Sequence, residues 1–131
     1  MGYNVHWSGG LVISPTPLPK EIKRIEEFIH KEHASTVTPS MYCPWTIVQR
    51  QNQYFTTDIS EYQLEIHGEK AHSVGKWLKI LISRRLKPYN LKVTGTMTWD
   101  GEDPLDFGKL KVIENKITVI KPTITWDEET L

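Results

Sequence analysis

The 131-residue chain has a single cysteine, Cys43, no net charge and no long apolar run. Each lack removes a class of protein. One thiol cannot form an internal disulfide, which suits a reducing compartment and leaves the fold to be held by a hydrophobic core. Sixteen basic and sixteen acidic side chains cancel, so no global field draws the whole molecule onto a nucleic acid or an anionic membrane. No apolar stretch approaches the ~20 residues of a membrane-spanning helix, and the sequence does not open with the basic and apolar regions of a secretory leader. A cytoplasmic protein without membrane association is the expectation. The chain also lacks a nucleophile elbow, a Gly-rich phosphate loop, a Cys-x-x-Cys pair and a His-x-Glu deaminase pattern. These absences point away from an enzyme and call for no cofactor and no metal.

What is present fits one domain over residues 1–131, the size at which a single core is efficient. Charge is segregated: residues 69–92 are net +6 and residues 93–131 net −4. A basic middle therefore faces an acidic C-terminal third. At the start, Tyr3, Val5 and Trp7 alternate as in a strand, with a bulge or kink expected at Gly9-Gly10 and Val12 or its neighbours resuming the pattern. Prolines at 15, 17 and 19 make an extended connector whose last member can open a helix. Ile22, Ile25, Phe28 and Ile29 then recur at helical spacing.

Residues 33–45 are rich in Ser, Thr and Pro and read as a long loop. TIVQR and QYFTT around Gln51-Asn52 suggest a hairpin, followed by a strand with Tyr62, Leu64 and Ile66 on one face. From Glu69 to Lys87 the period turns helical, with Ala71, Val74, Leu78, Leu81 and Ile82 on the apolar face, Trp77 at its edge and Pro88 as the stop. Three strands complete the chain. Val93, Met97 and Trp99 share a face of the first, and a tight turn at Glu114-Asn115 joins the other two. The order predicts an α+β fold, an antiparallel sheet of about five to six strands with two amphipathic helices packed on one face.

Three groups of residues are candidates for a site. The first is TWDGEDPLDFG, with Asp100, Glu102, Asp103 and Asp106. Counted from Asp100, the sixth and twelfth positions are Leu105 and Lys111 where a calcium loop of the EF-hand type needs Gly and Glu, so that reading fails. The stretch is either a polar turn, a loop presenting carboxylates to a partner, or a pair of catalytic acids; an acid pair would need burial beside a pocket. The second group lies in and after the long loop: Tyr42 and Arg50, with Trp45 expected to be exposed and free to stack on a ligand. The third is the row Lys76, Lys79 and Lys87 opposite the apolar face of the second helix, which could touch phosphates but is also what any surface helix shows. His30 and His33 supply only two of the four ligands zinc needs.

The two ends of the chain resemble a family of small phage and bacterial proteins without an assigned activity. The likeness lies in Gly2-Tyr3 and Val12-Ile13-Ser14-Pro15 at one end. At the other it lies in Gly95, Gly101-Glu102-Asp103, Asp106, Ile113-Glu114-Asn115 and the Pro122-Thr123-Ile124-Thr125-Trp126 segment. The resemblance implies a phage-type origin and architecture, not a chemistry. The resulting expectation is a non-enzymatic accessory protein, active in counter-defence, that sequesters a host immune protein or a small nucleotide signal. It is expected to be a homo-oligomer, and a nucleic-acid partner is not expected. The alternatives are a hydrolase using the 100–106 acids and a virion structural or assembly component.

Overall fold

A computed structural model describes residues 3–33, 38–40, 42–54, 57–68, 73–123 and 125–131, with side chains for all of these except 51–54 and 57–60. The elements are β1 (Val5–Ser14), α1 (Pro19–His30), β2 (Trp45–Tyr54), β3 (Thr57–Ile66), α2 (Val74–Leu81), β4 (Lys92–Gly101), β5 (Phe107–Ile113) and β6 (Lys116–Ile120). Six strands form one antiparallel sheet in the order β2-β3-β1-β4-β5-β6. The fold is α+β, as the order of apolar periods predicted.

Register decides which side chains meet. Leu11 opposes Leu64 and Gly95, Met97 opposes Leu110, and Gly95 opposes Val112. Leu11, Ile13, Leu64, Val93, Met97, Leu110 and Val112 therefore point to one side, where Ile25, Phe28 and Ile29 of α1 and Val74, Trp77, Leu78 and Leu81 of α2 close the core. The other side of the sheet carries Thr94, Thr96, Thr98, Lys109 and Lys111, all exposed. This one-sided burial is the ordinary state of an antiparallel sheet.

Helix α1 begins where the connector ends. Pro19 takes the first helical position, and the Leu18 N–H donates to Glu21 Oε1 at 2.8 Å, which accounts for a buried glutamate. At the other end the His33 Nε2–H donates to the Phe28 carbonyl at 2.7 Å. His33 also packs between the Phe28 and Trp77 rings, at 4.7 and 5.0 Å between centroids. It is a buried clasp between the helices, while His30 is exposed.

Several local expectations are corrected. Gly9 does take a positive φ of 98°, yet β1 keeps unbroken register with β4 from Val5↔Gly101 to Ser14↔Lys92, so there is a kink without a bulge on that side. Beyond the kink it is the neighbours of Val12, Leu11 and Ile13, that carry the core pattern. The hairpin turn is not at Gln51-Asn52: β2 runs through them, paired with Ser60 and Ile59, and the connection falls at residues 55–56, outside the described residues. Polar residues mimic a turn here because β2 is an edge strand. Helix α2 starts at Val74, behind a left-handed Ser73, and continues as a π-helical turn over Ile82–Leu86 and a 3-10 turn over Lys87–Tyr89. Residues 69–72, where the sequence also predicted helix, lie outside the described residues. Trp77 is fully buried, within the apolar face and not at its edge.

Candidate functional site

The expected exposed tryptophan is a core residue. Trp45 is only 1% exposed, opens β2, and donates its indole N–H to the Val74 carbonyl at 2.9 Å. Trp77 Nε1–H donates to Ser40 Oγ at 2.9 Å, and Ser40 Oγ donates to the Tyr42 carbonyl at 3.1 Å. Two buried indoles thus fasten the segment that reads as a free loop, leaving Tyr42 exposed. The sequence misleads because Pro and Ser suppress regular structure without preventing burial of the aromatic next to them.

The acidic stretch is a turn fastened from inside. Gly101 N–H donates to the Asp106 carbonyl at 2.7 Å, Asp106 N–H to the Asp103 carbonyl at 2.9 Å, and Leu105 N–H to Asp103 Oδ1 at 2.9 Å. The same turn is tied to the start of the chain. Tyr3 O–H donates to Asp106 Oδ2 at 2.8 Å and accepts the Asp103 N–H at 3.0 Å, while Asn4 N–H donates to Glu102 Oε1 at 2.9 Å. The second oxygen of Asp106 accepts the Trp99 indole N–H at 3.0 Å. Hydrogen bonds from Tyr3 and Trp99 hold the Asp106 carboxyl below the usual carboxylate range, with a smaller contribution from the Lys121 charge. That direction is opposite to what a general acid near neutral pH requires.

The candidate residues do not converge. Asp100 lies on the open side of β4, with Glu102, Asp103 and Asp106 in the turn beyond it. Arg50 stands on β2 at the far edge of the sheet, donating through Nε and Nη2 to Glu65 at 2.9 and 2.7 Å. Lys76 and Lys79 are exposed on α2, across the sheet from Asp100. Among the described residues no three His, Cys, Asp or Glu side chains are grouped so as to hold a metal ion, and no helix is long and apolar enough to cross a membrane.

What the structure does assemble is a groove of about 650 Å³ crossing four strands at one end of the open face. Its floor is polar, from His6 and Ser8 of β1 and Thr98 and Asp100 of β4. Ser8 Oγ and Thr98 Oγ1 lie 2.7 Å apart and share a hydrogen bond. Its walls are Phe107 and Lys109 of β5, Ile120 of β6, and Lys121 and Pro122 where the chain leaves the sheet. Phe107 and Ile120 are each 44% exposed. Gly108, between Phe107 and Lys109, sits under the Trp99 ring, where any Cβ would collide. Behind it Trp7 and Trp99, register partners, pack in a tilted pair at 5.4 Å between centroids.

Against known proteins, no family model, curated protein or solved structure matches this chain. The groove must be read from its own chemistry. Sequence reasoning passed over Phe107, Lys109, Ile120 and Lys121, although a signal was present. FGKLKVI alternates so strictly that, once Leu110 and Val112 face the core, Phe107 and Ile113 must stand on the polar side beside Lys109 and Lys111. An apolar ring on a wet sheet face is the informative anomaly.

Proposed function

We propose that this is a non-enzymatic binding protein that holds a small anionic ligand with a planar ring, of nucleotide type, in the open-face groove. The observation that carries the reading is the placement of an exposed aromatic ring, Phe107, beside two cations, Lys109 and Lys121, over a floor of hydroxyl groups. A ring can stack on Phe107 and Pro122, an anion can be met by the two ammonium groups, and Ser8, Thr98 and Asp100 supply acceptors and donors that orient ribose or base edges. The groove's size falls within the range of small-molecule sites. The resemblance of the chain's ends to small phage proteins supports a counter-defence setting, in which capture of a nucleotide signal in the host cytoplasm by a homo-oligomer would be the function.

The test is a calorimetric titration with a panel of mononucleotides, cyclic dinucleotides and short single-stranded oligonucleotides. We expect a small nucleotide to bind, and Phe107→Ala to weaken it by about 5- to 150-fold, the equivalent of about 1–3 kcal/mol for one stacked base. Lys109→Ala should make the remaining affinity less salt-dependent. Binding of oligonucleotides alone would replace the small ligand with a nucleic acid. Capture of a host protein by the same face, with no nucleotide bound, would replace it with a protein.

A further inference from the structure

The groove has a second candidate occupant, and it is part of the chain. Beyond β6 the backbone leaves the sheet at Lys121 and Pro122, which form the groove's rim, and the described residues after them belong to no strand. Trp126 on this segment is 85% exposed. Asp127, Glu128 and Glu129 follow it directly, all exposed. The other four tryptophans, Trp7, Trp45, Trp77 and Trp99, are buried or half-buried. A large indole held in water beside three carboxylates is a side chain without its partner.

The open face supplies that partner. Lys92, Lys109, Lys111 and Lys116 all stand on it, with Lys121 at the rim, while Asp100 is the acid among the strand positions of β4, β5 and β6 on that face. The C-terminal third, net negative in sequence, therefore presents a positive face, because its acids other than Glu114 of the β5–β6 turn are gathered in residues 100–106 and 127–129. Phe107 and Ile120 are exposed within the groove, and β6, paired only with β5, is an edge strand next to it. Each copy thus carries both an aromatic-and-acidic segment and an aromatic-and-basic groove. Surfaces of that kind, exchanged reciprocally, close in a two-fold dimer.

We infer that two copies of this chain pair by exchanging their C-terminal segments, Trp126 of each entering the groove of the other with Asp127, Glu128 and Glu129 against Lys109, Lys111 and Lys116. The inference does not depend on which small ligand the groove takes. It adds that ligand and dimer compete for one surface, since Trp126 and its carboxylates repeat the ring-plus-anion chemistry proposed for the ligand.

Sedimentation equilibrium of the full chain tests it. A monomer–dimer equilibrium is expected that Trp126→Ala abolishes and that about 1 M salt weakens, where the Debye length is only ~3 Å. Charge reversal then separates copies. One variant carries Lys109→Glu and Lys111→Glu, and a second carries Asp127→Lys, Glu128→Lys and Glu129→Lys. Each alone should be monomeric and should still unfold in one cooperative transition, since all five side chains are exposed. An equimolar mixture should regain the dimer, because each groove then meets a segment of opposite sign. A wild type that stays monomeric up to about 1 mM, or a dimer indifferent to Trp126→Ala, would overturn the proposal. So would Trp126 fluorescence already quenched in a monomer, which would mean that each segment folds onto its own groove.

Discussion

The Trp99 indole N–H donates to one carboxylate oxygen of Asp106 at 3.0 Å while the Tyr3 hydroxyl donates to the other at 2.8 Å. One side chain thereby joins β4, the turn after it and Tyr3, two residues before β1. Asp106 can bind both donors fully only as the carboxylate, and its titration should be visible in the stability of the fold. Because its folded-state pKa lies below the unfolded value of about 3.9, the native state binds fewer protons than the unfolded one in that range. The stabilisation is complete above pH ~4 and is lost as pH falls through the folded pKa. Asp106→Asn should melt lower than wild type at pH 7, and the gap should narrow below pH ~4 in calorimetric scans. A gap independent of pH would show that the charge plays no part.

Trp45 gives a prediction of opposite sense to the one its sequence context suggests. With its ring in the core, Trp45→Ala should destabilise by about 3–5 kcal/mol in urea titrations, the range for a large buried aromatic. Trp45→Phe keeps most of the packing but loses the bond to the Val74 carbonyl, adding about 1 kcal/mol to whatever the smaller ring costs.

Asn115 tests the turn between β5 and β6. It sits at φ 72°, accepts the Val93 N–H through Oδ1 at 2.8 Å and donates through Nδ2 to the Leu91 carbonyl at 3.1 Å. Asn115→Ala should cost about 2–3 kcal/mol, the sum of two bonds near 1 kcal/mol each and some left-handed strain. Asn115→Gly keeps the conformation and loses only the bonds, so it should be the milder of the two by about 1 kcal/mol in the same denaturation assay.

Cys43 should be slow to react. Burial pushes its thiol up to about 11, with the Trp45 backbone N–H drawing it partly back. At pH 8 its thiolate fraction is then about two orders of magnitude below that of an ordinary cysteine of pKa ~8.5. Iodoacetamide alkylation followed by mass spectrometry should be slower by about that factor in buffer, and should reach the free-thiol rate in denaturing urea.

Much of this architecture was legible from residue order because it depends on period alone. Ile25, Phe28 and Ile29 repeat at helical spacing, Val93, Met97 and Trp99 at strand spacing, and Glu114-Asn115 offers the left-handed turn, so the elements and their α+β class follow from local chemistry. Where two signals competed, the local one lost. Gln51-Asn52 looked like a turn but was carried through by pairing to β3, and Trp45 looked free but is buried with its indole bonded to the Val74 carbonyl of α2.

The sequence by itself determined which residues alternate, which helix faces are apolar and that the acidic stretch turns. Tertiary structure alone decided the strand order, and with it that Phe107, Lys109, Ile120, Lys121 and Asp100 would share one groove. The physical reason is that period assigns a side chain to a face, whereas only the pairing of β1, β4, β5 and β6, residues far apart along the chain, assigns it neighbours on that face.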